Sequence, residues 1–162
     1  MKNKSFREQI LVVDDEPLIC LSYKEILGKE GFDVDVAHSA EEGLRKGLEK
    51  KFDLILLDIK MPDIGGLTLL KKMRAEQQDT PVVIITAYAT VQAAVEAMRL
   101  GATDLLQKPF TPEELSRVVR SVILKKERMA ERIPQELIIP KEMVQKFNYG
   151  MMENPGRKQE PE

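Results

Sequence analysis

Apolar residues along the chain fall into short runs that alternate with stretches at helical spacing. Ile10-Leu11-Val12-Val13 is the first run, and it ends at Asp14-Asp15. Pro17 opens a stretch with Ile19, Tyr23, Ile26 and Leu27 on a 3.6-residue period, and Gly31 is placed to stop it. Asp33 to Ala37 alternates polar and apolar, as a short strand does. Ser39 with Glu42 is a capping-box pattern, opening a helix with Ala40, Leu44 and Leu48 on one face. Leu54 to Leu57 is continuously apolar and ends at Asp58, which predicts a strand buried on both sides. Met61 to Gly66 reads as a loop, and Leu67, Leu70 and Met73 mark the next helix. Val82 to Ile85 repeats the buried-strand pattern and ends at Thr86. Thr90 caps a helix with Val91, Ala94, Val95 and Met98 on one face. A short strand surrounds Leu105-Leu106. The last helix starts near Thr111-Pro112-Glu113-Glu114, with Leu115, Val118, Val119, Val122 and Ile123 facing inward.

Strand and helix alternate five times. Right-handed crossovers then require a parallel sheet covered by helices on both faces, an α/β fold. In such sheets the ligand site lies beyond the carboxyl ends of the strands. That rule singles out Asp14, Asp15, Asp58, Thr86 and the segment after the fifth strand, Lys108-Pro109.

Composition narrows the picture. The 162 residues, 43% hydrophobic and 32% charged, suffice for one domain plus an appendage. No apolar run approaches the roughly 18 residues that span a membrane, and the polar N-terminus lacks the apolar centre of a secretion signal. The single cysteine, Cys20, lies among apolar helix residues and reads as packing in a reducing compartment. A net charge of −2 lacks the basic excess of a nucleic-acid-binding domain. His38, the only histidine, precedes a helix cap and reads as structural or solvated. We place the domain at residues 8–127. The remainder, 128–162, is a proline-containing tail, partly disordered, with a short helix expected at 141–147.

The strand-end residues carry the chemistry. Clustered carboxylates raise one another's pKa unless a cation joins them, and an all-oxygen donor set suits Mg²⁺ or Mn²⁺. A lysine in the same pocket supplies positive charge for an anion, and a threonine hydroxyl supplies a neutral donor. Metal, lysine, hydroxyl and a carboxylate nucleophile are what phosphoryl transfer requires.

The order Val13-Asp14-Asp15-Glu16, Leu57-Asp58-Ile59-Lys60-Met61-Pro62, Ile85-Thr86-Ala87 and Lys108-Pro109-Phe110 resembles the receiver domain of two-component response regulators. Thr86-Ala87-Tyr88 to Gly101-Ala102 is most similar to receivers of σ54-dependent activators. The resemblance implies a flavodoxin-like, doubly wound, five-stranded parallel sheet of order 2-1-3-4-5. It implies that Asp58 accepts a phosphoryl group from a sensor histidine kinase or phosphotransfer protein. It implies that Asp14, Asp15, Asp58 and the backbone carbonyl of Lys60 hold Mg²⁺ (or Mn²⁺). Thr86 and Lys108 would contact phosphoryl oxygens, with a cis bond before Pro109. The protein would be a cytoplasmic signalling switch, sitting within a phosphorelay and catalysing only its own phosphorylation and dephosphorylation. Its output would run through a downstream protein target or a phosphorylation-dependent homodimer, without direct contact to nucleic acid or membrane.

One position departs from the family pattern. Receivers usually carry an aromatic residue three positions before the lysine, and here it is Leu105. That departure supports the alternative of a pseudo-receiver acting as a constitutive protein-binding module, while the intact acidic cluster opposes it. Tyr88 and Lys60 flank the expected pocket, at positions that in the family tune loss of the phosphoryl group.

Overall fold

The computed structural model describes residues 6–61, 65–76 and 78–131; the expected helix at 141–147 lies outside them, as do loop residues 62–64. Five strands, β1 (Gln9–Val13), β2 (Asp33–Ala37), β3 (Leu54–Asp58), β4 (Val82–Thr86) and β5 (Asp104–Gln107), alternate with five helices. The helices are α1 (Pro17–Lys29), α2 (Ala40–Glu49), α3 (Gly66–Ala75), α4 (Val91–Arg99) and α5 (Pro112–Glu131). The sheet order is β2-β1-β3-β4-β5, and every pairing is parallel.

The three central strands are buried on both faces because alternate residues feed two separate cores. Leu11, Val13, Ile55, Leu57 and Ile84 meet Leu69, Leu70, Met73 and Ala97 from α3 and α4 on one side. Ile10, Val12, Leu54, Leu56, Val83 and Ile85 meet Cys20, Tyr23 and Leu27 of α1 and Leu115, Val119, Val122 and Ile123 of α5 on the other. All the packing described here belongs to the first of two compact units, residues 1–125; the second is 126–162. No described helix is long and apolar enough to cross a membrane.

Local signals in the chain account for the helix ends. Ser39 Oγ accepts the Glu42 N–H at 3.1 Å, while Glu42 reaches back to the N–H of His38 rather than to that of the cap residue itself. The reciprocal box forms fully at α5, where Thr111 Oγ1 accepts from Glu114 N–H and Glu114 Oε2 accepts from Thr111 N–H. Thr90 caps α4 by accepting the Ala93 N–H. Gly31 and Gly101 take positive φ where α1 and α4 end.

Two helix faces differ from expectation. On α2, Ala40 is buried and Leu44 packs against the core as expected, but Leu48 is exposed and Gly43 and Gly47 are buried on the inner face. A Cβ at Gly43 would meet both methyls of Val13 at 2.9 Å, so bare backbone lets α2 lie against β1 more closely than a leucine face could. On α4 the apolar stripe of Val91, Val95 and Met98 faces solvent, and the helix buries Ala97 instead. Its period was legible, but the small residues rather than the large ones face the sheet. Among the described glycines, Gly66 has the tightest surroundings: a Cβ there would run into the backbone of Asp58 and Ile59, and its N–H donates to Ile59 O at 2.8 Å.

Candidate functional site

Sheet register brings the polar strand ends together. β1 pairs with β3 and β3 with β4, so Asp14 follows the last residue of β1 while Asp58 ends β3 beside Ile85 of β4. Asp14, Asp15 and Asp58 each offer a carboxylate oxygen within 4.8 Å of the others. Asp14 is 1% exposed and Asp58 7%, so this charge has been taken out of water.

Each buried carboxylate has distinct partners on its two oxygens. Asp14 Oδ1 accepts the Glu16 N–H at 3.0 Å, and Asp14 Oδ2 faces Lys108 Nζ at 3.2 Å. Asp58 Oδ1 accepts the Lys60 N–H at 3.1 Å, and Asp58 Oδ2 lies 3.5 Å from Lys108 Nζ. The Lys108 ammonium therefore bridges two strands that its own strand does not touch. Its backbone is fixed by donation of Lys108 N–H to Thr86 O at 2.8 Å, and the Lys108–Pro109 bond is cis.

Burial pushes the Asp58 carboxyl above the usual range, outweighing the Lys60 N–H and the Lys108 charge, while Asp14 pushes it the same way. Burial works against the Lys108 ammonium, but the charges of Asp14 and Asp58 outweigh it and hold its pKa above the ordinary value. Three carboxylates thus gather around one ammonium. Hard oxygen donors clustered in this way fit a small divalent cation.

Thr86 ends β4 and is 1% exposed. Its Oγ1 accepts the Tyr88 N–H at 3.0 Å, which leaves its own proton for another acceptor. Tyr88 is exposed, and Lys60 Nζ sits 3.9 Å from the centre of its ring. That cation–π contact joins the segment after β3 to the segment after β4. Leu105 pairs with Ile84 and packs half-buried against the core on the α3–α4 side. His38 is exposed and Cys20 is buried, donating its thiol to Asp14 O at 3.3 Å.

Of the residues singled out by position, Asp14, Asp15, Asp58 and Lys108 come together in one cluster, and Thr86 ends the neighbouring strand, its carbonyl accepting the Lys108 N–H. Tyr23 was legible only as a core position. In the fold it is 5% exposed, and its ring stacks on Phe110 at 5.8 Å between centroids and 27° between planes. An aromatic residue in a helix pattern cannot announce which distant loop it will meet.

Comparison with known proteins agrees with the geometry. The model of the response regulator receiver domain family matches residues 10–120. Regulatory protein AtoC of Escherichia coli is 37% identical over 115 residues, covering 71% of this chain and 25% of AtoC. Response regulator ArlR of Staphylococcus aureus is 37% identical over 131 residues, covering 81% of this chain and 56% of ArlR. The chain therefore spans a quarter of one relative and about half of the other. A CheY-like receiver domain protein from Methanospirillum hungatei JF-1 has the same fold, with a TM-score of 0.74 at 34% identity over 76% of this chain and 99% of that one. Sheet order, pocket and sequence match lead to one conclusion: the chain belongs to the response regulator receiver domains of two-component signalling.

Proposed function

We propose that this receiver is a phosphorylation-dependent switch that accepts a phosphoryl group on Asp58 from the phosphohistidine of a sensor kinase or phosphotransfer protein. The observation that carries the reading is the Lys108 ammonium, 3.2 Å from Asp14 and 3.5 Å from Asp58, inside a three-carboxylate cluster. A structural ion pair needs one carboxylate, and the third makes sense as a cation ligand. Asp14, Asp15 and Asp58, with the Lys60 carbonyl, would hold Mg²⁺ or Mn²⁺. When bound, such an ion offsets the negative charge on the oxygens of the transferred group.

The chain's own residues divide the remaining work. An Asp58 carboxylate oxygen attacks phosphorus in line, forming an acyl phosphate while the bond to the donor's imidazole nitrogen breaks and the imidazole leaves. Lys108 already faces Asp58 Oδ2 and pairs with a phosphoryl oxygen once that carboxylate is phosphorylated. The Thr86 hydroxyl, which accepts the Tyr88 N–H, turns its own proton toward another oxygen. That hydroxyl thereby couples the site to the segment leading into α4, whose apolar outer stripe is available for the output contact, with a target protein or a second receiver.

The test is intact-mass measurement after incubation with acetyl phosphate, with and without Mg²⁺. The expected result is a gain of one phosphoryl group, abolished by chelation and by Asp58→Asn. No gain from acetyl phosphate or from any histidine kinase would overturn the reading and leave a constitutive binding module.

A further inference from the structure

Lys108 is held at the acidic cluster by more than its charge. The four residues from Lys108 to Thr111 link β5 to α5, and they are pinned at both ends. At one end Lys108 N–H donates to Thr86 O, and at the other Thr111 and Glu114 form the capping box of α5. Between these points Phe110 stacks on Tyr23, a residue of α1 on the same core face as Cys20 and Leu27. One turn earlier on that face, the Cys20 thiol donates to the carbonyl of Asp14. The same face of α1 therefore touches both the backbone that carries Asp14 and the loop that carries Lys108.

We propose that Tyr23 is a positioning residue for Lys108, its ring acting through Phe110 to set the ammonium between Asp14 and Asp58. This rests on the phosphoacceptor reading above and adds to it a residue outside the pocket. The physical argument is one of tolerance. A lysine stem has four rotatable bonds, and its head stays within 3.5 Å of two carboxylates on separate strands only if its Cα is fixed. The stacked ring supplies a broad, stiff contact on Phe110, two residues along the chain from that Cα. A displacement of about 1 Å at a reacting group can cost up to about 100-fold in rate. An aliphatic side chain at position 23 fills core volume without offering Phe110 a flat face.

The experiment compares Tyr23→Leu, Tyr23→Phe and Phe110→Leu in the full chain. Two readouts are taken: the initial rate of phosphorylation by acetyl phosphate with Mg²⁺, and the NMR shift of the Lys108 methylene beside Nζ without metal, assigned by its loss in Lys108→Ala. Tyr23→Leu and Phe110→Leu should each slow phosphorylation about tenfold and move the Lys108 resonance toward that of the exposed lysines. Tyr23→Phe, which keeps the ring, should restore both to within about twofold. In a Lys108→Ala background, Tyr23→Leu should add no further loss. An unmoved Lys108 resonance in both leucine variants would overturn the proposal, as would an equal rate loss with and without Lys108. Phe110→Leu carries the test where Tyr23→Leu fails to fold. A wild-type chain that takes no phosphoryl group would defeat the phosphoacceptor reading, and the lysine resonance alone would then decide the role of Tyr23.

Discussion

Adding a single methyl group at Gly66 tests how tightly the acceptor strand is held. Gly66 is buried at the start of α3, and a Cβ there would land on the Asp58 carbonyl oxygen, 2.7 Å from Ile59 Cα and 2.9 Å from the Asp58 carbonyl carbon. All three atoms are backbone, so no side chain can rotate away. Either the first turn of α3 or the segment after β3 must move by about 1 Å, an overpacking strain of about 1–3 kcal/mol. Alanine's better helix propensity returns less than about 1 kcal/mol. Gly28, exposed near the end of α1 with nothing within 4 Å of its Cβ position, is the control. There the same substitution should stabilise by about 0.5–1 kcal/mol. The helix gain is common to both, so the two variants should differ by the strain alone, about 1–3 kcal/mol, which for a domain of this size is roughly 4–12 °C in Tm. Thermal unfolding followed by circular dichroism, without metal, measures the difference. Because two of the three strained atoms belong to Asp58 itself, Gly66→Ala should also slow acetyl phosphate labelling. Equal stability of the two variants would refute the close-approach argument.

Three further outcomes follow from the pocket. Burial raises the Asp58 carboxyl, so the folded chain keeps that proton over a pH range where the unfolded chain has released it, and the charged group costs stability above that range. Asp58→Asn should therefore stabilise the metal-free protein at pH 7, with a gain that shrinks as pH falls toward about 4; urea midpoints that show the same gain at both pH values would contradict this. Tyr88→Ala removes the ring beneath Lys60 Nζ and should shorten the life of the phosphorylated form several-fold, read as the decay of the mass-shifted species; an unchanged decay would refute a shielding role. Burial and the neighbouring Asp14 charge push the Cys20 thiol up to about 11, so a thiol reagent at pH 8 should label it only as the chain unfolds. Rapid labelling of the native protein would show that α1 opens.

Much of the fold was legible because its signals are local. Continuous apolar runs marked β3 and β4, Ser39, Thr90 and Thr111 marked helix starts, and the alternation of strand and helix implied a parallel sheet. The pocket was legible for a related reason: every polar group in it sits at a strand end, where the fold places ligand sites. What escaped was whatever depends on the distance between elements. Leu48 and the Val91–Val95–Met98 stripe have the right period, but the backbone approach permitted by Gly43 and the small Ala97 decides which face packs. The Tyr23–Phe110 stack joins residues 87 positions apart, and no periodicity encodes it. The link between Lys60 and Tyr88 is of the same kind: both flank the pocket in the sequence, but only the fold sets cation over ring.

The most direct test of the central claim is to locate the phosphoryl group itself. The protein is incubated with acetyl phosphate and Mg²⁺, treated with borohydride, which reduces an acyl phosphate to an alcohol, and digested for peptide sequencing by mass spectrometry. The account predicts homoserine in place of Asp58, and no such conversion when metal is withheld. Homoserine at Asp14 or Asp15, or none anywhere, would contradict it.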